Sequence, residues 1–123
     1  MLFRSRWLMA AAGDFYAKGN ITAYWTSDIS LKENIKPIDN ALDKINQING
    51  VTFDWTDDYL KSLGVDDPYF IKKHDVGVIA QEIEKVLPEV VATKEDGTKA
   101  VRYEKIIALL IEGIKELSKK IEK

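Results

Sequence analysis

Thr26-Ser27-Asp28-Ile29-Ser30-Leu31-Lys32-Glu33-Asn34-Ile35 is the stretch where the periodicity of this chain changes. Before it, Ile21-Thr22-Ala23-Tyr24-Trp25-Thr26 is rich in β-branched and aromatic types and reads as a strand. Ile21, Ala23 and Trp25 would share one face, with Thr22, Tyr24 and Thr26 on the other. After it the spacing is helical. Ser30-Leu31-Lys32-Glu33 has the spacing of a capping box, with Ser30 as N-cap and Glu33 three residues on. Ser27 and Lys32 stand five residues apart across the change. On a continuous helix they would lie about 140° apart round the axis. On a continuous strand an odd spacing sends them to opposite faces. A strand-to-helix corner can bring them together, and so can a lysine from a neighbouring chain. The spacing alone is a weak signal.

Upstream, Gly19-Asn20 marks a turn before the strand. A lone strand of this size is marginal in water, so 21–26 is expected to belong to something larger, a partner chain or a β-structure ahead of it. Met1 to Ala12 faintly imitates a signal peptide, but its apolar run is near the lower limit for one. The plainer reading is a truncated N-terminus.

Downstream, Pro37 interrupts, and a clearer helix is expected, capped by Asp39 or Asn40. Ile38, Ala41, Leu42, Ile45 and Ile48 give it an apolar face, and Gly50 should end it. Val51-Thr52-Phe53-Asp54-Trp55 alternates, with Val51, Phe53 and Trp55 inward. Residues 56–74, with Asp57-Asp58 and Asp66-Asp67-Pro68, read as an irregular insertion with a possible helical turn at Tyr59-Leu60. Asp75 to Ala80 reads as a buried strand. Gln81 to Leu87 reads as a short helix stopped by Pro88, with Ile83, Val86 and Leu87 inward. Asp96-Gly97 between two β-prone runs signals a hairpin. The last element is a helix over 104–123. Tyr103, Ile107, Leu110, Ile114, Leu117 and Ile121 follow four-three spacing, a heptad seam with Ile at a and Leu at d. Ile106, Leu109 and Ile111 broaden its first half. That half is expected to pack on its own domain and the second half to meet sister helices.

A chain of 123 residues is one domain, or a small domain with an appendage, and leaves enough surface for oligomerisation. The formal charge of −2 gives no general attraction to nucleic acid or anionic membrane. No apolar run approaches the roughly 20 residues of a membrane helix. Without cysteine there are no disulfides or thiolate metal sites.

The search for chemistry narrows quickly. His74 is the single histidine and sits after Lys72-Lys73, where solvation is the simple reading. Asp54, Asp57, Asp58, Asp66 and Asp67 lack EF-hand order. The seven glycines form no phosphate-binding motif. Glu82 and Glu84 face differently on a helix, and Trp25 and Trp55 suit a core or an interface. No metal or cofactor is expected. Serine with lysine is left. A lysine can act as base for a serine hydroxyl when its amine is neutral, which means pulling its ordinary pKa of about 10.4 down by burial or nearby positive charge.

Ser27 to Ile35 resembles the opening of the intramolecular chaperone domain of phage tail spikes and tail fibres, the peptidase S74 family. Gly77-Val78-Ile79-Ala80-Gln81-Glu82-Ile83, with Pro88-Glu89-Val90-Val91, resembles its second signature, and Tyr103-Glu104-Lys105-Ile106-Ile107-Ala108-Leu109-Leu110 its third. Together they run in family order from Ser27 onward. The same domain occurs in endosialidase tail spikes, phage neck appendages and a membrane-tethered animal transcription factor.

The resemblance implies an α+β fold in a homotrimer, with the C-terminal helices bundled along Ile107, Leu110, Ile114, Leu117 and Ile121. Residues 1–26 would be the remnant of a β-helical stalk, and 27–123 the chaperone that holds three such strands in register. Ser27 would be the nucleophile and Lys32 the base of one self-directed cut between Thr26 and Ser27. Asn34 and backbone amides at the helix start opened by Ser30 are candidate oxyanion donors. The implied setting is the host cytoplasm during phage assembly, with the stalk kept in the virion tail and the chaperone released. The partners would be sister chains and the protein's own stalk, with neither nucleic acid nor membrane. A trimer cap that never cleaves is the rival. A DNA-binding fragment is disfavoured by the acidic balance, and a generic helical adaptor by the expected hairpin.

Overall fold

The structure is a computed structural model that describes residues 7–9, 13–65 and 67–122, with only the backbone described at 7–9. Apart from Trp7–Met9, the Met1–Ala12 reading lies outside the described residues, as does Asp66 in the expected loop signal. In chain order the elements are β1 (Trp7–Met9), β2 (Phe15–Ala17), a 3-10 turn (Ile29–Leu31), α1 (Ala41–Ile45), β3 (Val51–Asp54), α2 (Asp57–Ser62), β4 (His74–Gly77), α3 (Ala80–Val86), a second 3-10 turn (Pro88–Val90), β5 (Val91–Thr93), β6 (Lys99–Val101) and α4 (Tyr103–Ile121). Among the described residues the strands pair as β1–β2, β3–β4 and β5–β6, three two-stranded sheets in a mixed α and β chain.

The chain divides into two compact units, one of 1–32 with 52–75 and one of 33–51 with 76–123.

The second unit holds the core. Ala41, Ile83, Val86, Leu87, Val90, Ile106 and Leu109 are buried together, with Ile38, Ile45 and Ile48 packed against them. The apolar face read for α1 is therefore the one it buries. Its ends differ from expectation. α1 stops at Ile45 rather than Gly50 and continues as tight turns, Gln47 N donating to Lys44 O and Ile48 N to Ile45 O. Asn40 precedes the helix but makes no side-chain cap, because its backbone is left-handed, with φ 50, where a side-chain cap calls for extended backbone. The carboxylate of Glu116, from α4, accepts from Ala41 N at 2.6 Å and Leu42 N at 3.3 Å instead. This satisfies two amides that the helix leaves open and sets a negative charge at its N-terminus. Glu116→Ala is expected to lower stability by about 1–2 kcal/mol, with Glu116→Gln recovering part of it, read from urea unfolding midpoints.

Gly113, also buried, is where α4 meets α1: a Cβ there would collide with the end of Ile45. The hairpin follows its signal, with Val91 opposite Val101, Ala92 opposite Ala100 and Thr93 opposite Lys99. Gly97, with φ 88, takes the left-handed position that its turn requires. Pro88 ends α3 as read.

α4 carries two apolar faces. Ile106, Leu109 and Gly113 are buried. The heptad residues Ile107, Leu110, Ile114, Leu117 and Ile121 stay 44–75% exposed along the whole helix, and Ile111 is exposed as well.

In the first unit β1 and β2 form an antiparallel hairpin, Leu8 opposite Tyr16. Residues 56–74, read as irregular, contain α2, capped by Thr56 Oγ accepting from Tyr59 N at 3.2 Å. Rings of Phe53, Trp55 and Tyr59 meet in sequence, the first pair edge to face and the second tilted, each with centroids 4.8 Å apart. The same segment reaches the residues after β1: Tyr16 lies 5.2 Å from Phe70, Tyr69 OH donates to Lys18 O, and Lys18 pairs with Asp67.

Two strand expectations are corrected. Ile21–Thr26 is irregular and exposed, not a strand. Alternation supplies strand geometry, but a strand exists only where a neighbour accepts its ladder. The buried strand over Asp75–Ala80 is instead β4, His74–Gly77, and mostly exposed. It pairs in a two-stranded sheet, which leaves faces open that a parallel core strand would cover.

A serine–lysine corner

Lys32 Nζ donates to Ser27 Oγ at 2.7 Å. The corner that permits this is a single 3-10 turn between two extended residues. Asp28 enters it at φ −67, ψ 133, and Lys32 leaves it at φ −120, ψ 148. Leu31 N donates to Asp28 O and Lys32 N to Ile29 O, both at 3.1 Å. The capping box expected at Ser30 and Glu33 is replaced. Asp28 is the cap: its Oδ1 accepts from Ser30 N at 2.9 Å and from Ser30 Oγ at 2.8 Å. Aspartate ranks among the best capping residues, and from two positions earlier it engages the Ser30 hydroxyl that was expected to cap the helix. The turn then ends at Lys32, before Glu33 can complete a box. The Ser30 amide, then its hydroxyl, hold the Asp28 carboxyl below its ordinary range.

Ser27, Asp28, Ser30 and Lys32 are all exposed. Of the candidate oxyanion donors, Ser30 directs its amide and hydroxyl to Asp28. Asn34 falls in the second unit and is left-handed, with φ 54. The Ser27–Lys32 pair was legible as a spacing that a corner or a neighbouring chain's lysine could use, and the corner is the one seen. Asp28 was missed, although an aspartate two residues before a serine is itself a turn signal.

The remaining chemistry-bearing side chains stand elsewhere. His74 is exposed on β4 rather than in a loop, and its Nδ1 meets Asp54 Oδ1 at 2.7 Å. Trp55 Nε1 donates to Asp75 at 3.2 Å. Among the described residues no group of three or more His, Cys, Asp or Glu could hold a metal ion, and no helix is long and apolar enough to cross a membrane.

The family model described as the chaperone of endosialidase, peptidase S74, matches residues 27–92, more than half of the chain and beginning at the corner serine. The long tail fibre protein Gp37 of Enterobacteria phage K3 is 40% identical over 117 residues, covering 89% of this chain and 9% of the relative. Its counterpart in Enterobacteria phage T2 is also 40% identical, over 89% of this chain and 8% of the relative. These alignments are longer than the stretch from Ser27 onward, so the likeness extends upstream of the corner. Myelin gene regulatory factor-like A of Dictyostelium discoideum is 31% identical over 105 residues, covering 84% of this chain and 11% of that protein. The chain thus spans about a tenth of the length of these relatives. With a matched opening at Ser27 and tail-fibre relatives on both sides of it, the chain belongs to the peptidase S74 family, the chaperone of endosialidase.

Proposed function

We propose that this chain is an intramolecular chaperone that joins three copies of a tail-fibre protein, registers their upstream β-structure and then releases itself by one cut between Thr26 and Ser27. The observation that carries this reading is the 2.7 Å contact between Lys32 Nζ and Ser27 Oγ, at the residue where the family match begins.

The chemistry starts from the reach of Ser27 to its own preceding carbonyl. Its Oγ attacks the Thr26 carbonyl carbon, and Lys32 takes the hydroxyl proton. The Thr26–Ser27 C–N bond breaks, the proton passes to the leaving Ser27 nitrogen, and Thr26 is left as an ester on Ser27. Water hydrolyses that ester, giving a Thr26 carboxylate and restoring the Ser27 hydroxyl. The substrate is tethered, so each chain reacts once. Proximity is built in, which is a large part of the barrier in such reactions.

A lysine acts as base only when neutral, and burial is one way to reach that state. Lys32 is exposed in the single chain. Association of chains, with the upstream strand laid in place, would cover the corner and switch the dyad on. Cleavage would then report correct assembly. The heptad face of α4 supports association, because five large apolar residues stand exposed in a row of helical spacing. Isoleucine at a and leucine at d favour two strands in long parallel coiled coils, so the support for three comes from the family. The contacts of Phe70, Tyr69 and Asp67 with Tyr16 and Lys18 support a grip on the upstream segment.

The test is an intact-mass spectrum of the chain after expression, with light scattering on the same sample. The expected product is residues 27–123 in particles of three chains. An assembled but permanently intact chain would favour the non-cleaving cap, and particles of two chains would overturn the trimer.

A further inference from the structure

We infer that Asp28 is a positioning residue for the cut: its carboxylate folds the turn that delivers the Lys32 amine to the Ser27 hydroxyl. This rests on the dyad reading above and adds to it the reason the dyad forms.

A spacing of five fits neither a helix nor a strand. The chain solves it with one 3-10 turn, about 6 Å long, flanked by extended residues so that Ser27 and Lys32 face each other across it. Such a turn has little support of its own. It is closed by two backbone hydrogen bonds, and starting a helical turn is unfavourable for so few bonds. It buries no residue, and Ile29 and Leu31 are more than 70% exposed. Packing within the chain therefore does not hold it.

What holds it is local. Asp28 Oδ1 gathers both the amide and the hydroxyl of Ser30, and bonds to a charged acceptor are the stronger kind. The same oxygen is thereby turned toward Ser30. Asp28 acts through the turn, and the proton transfer belongs to Lys32. The carboxyl's depressed pKa agrees with this tie, since both Ser30 groups favour the ionised form.

The substitutions are Asp28→Ala and Asp28→Asn, beside Ser27→Ala and Lys32→Ala, with cleavage followed by intact mass across a pH series. Asp28→Ala is expected to cut about tenfold more slowly, the scale of a lost cap, with the midpoint of its pH profile unmoved. Asp28→Asn keeps an acceptor oxygen and should stay within about threefold of wild type. Wild-type speed in Asp28→Ala would overturn the inference. So would equal slowing in both variants, which would mean that charge rather than the turn matters. Cutting of Ser27→Ala or Lys32→Ala would overturn the dyad itself, a separate failure. A second readout does not depend on cleavage: a nuclear Overhauser contact between Lys32 ε and Ser27 β protons, expected in wild type and Asp28→Asn and lost in Asp28→Ala. Its persistence in Asp28→Ala would equally overturn the role.

Discussion

Ser27→Ala and Lys32→Ala chains are expected to remain at full length under conditions where the wild-type chain is reduced to residues 27–123. The two losses differ in kind. Alanine at 27 removes the oxygen proposed to attack, and the Ser30 hydroxyl is engaged in donating to Asp28. Alanine at 32 removes the amine proposed as base, which lies 2.7 Å from that oxygen. General-base losses run at about 10²–10⁴-fold, enough to leave the chain uncut through purification. Lys32→Arg sharpens the test. Arginine has comparable reach and a permanent charge, so it can hold the serine but cannot take its proton. It should therefore be as inactive as Lys32→Ala. A Lys32→Arg chain that still cuts would mean that lysine orients the serine and something else is the base. The exposure of the corner makes these variants informative, since none of them disturbs the buried core.

Replacing Ile114 and Leu117 together by glutamate is expected to reduce the proposed three-chain particle to single chains. Both side chains are exposed in the chain, at 67% and 48%, so the single chain should keep its helical content. In an assembled seam each would bury an apolar side chain contributing about 1.5–3 kcal/mol. Glutamates in their place bring like charges together where water is excluded, a further cost of several kcal/mol. Light scattering reads the mass and circular dichroism the fold. The same variant tests the link between assembly and chemistry. If association supplies the burial that Lys32 needs, the glutamate chain stays uncut although its dyad is intact. Monomers that cut at the wild-type rate would separate the two. The inner face of α4 is untouched by this change, because Ile106, Leu109 and Gly113 pack on α1 and its neighbours.

Some of the fold and site was legible because it is written in short-range geometry. Asp96-Gly97 supplies the left-handed residue that a tight hairpin needs, and β5 and β6 pair around it. Pro88 cannot donate an amide, and α3 ends before it. Ile83, Val86 and Leu87 recur at helical spacing and are buried. The Ser27–Lys32 spacing excluded a continuous helix or strand, and a single 3-10 turn, rather than the expected strand-to-helix corner, brings the pair together. The strand read at Ile21–Thr26 failed for the complementary reason. Its composition is strand-like, but pairing is a property of a neighbour, which local pattern does not encode.

By itself, then, the sequence determined where the period changes and which residues share a helical face. These follow from bond geometry repeated over a few residues. Only the tertiary structure decided which groups close the open amides and which apolar face is inside. Glu116 caps α1 from some 75 residues away, and Asp28 displaces Ser30 as cap of the corner. On α4 the sequence offers two apolar faces. The fold buries Ile106 and Leu109 because α1 can approach at Gly113, where no side chain stands in the way. That leaves Ile107, Leu110, Ile114, Leu117 and Ile121 on the outside, since one helix cannot turn two faces to the same core.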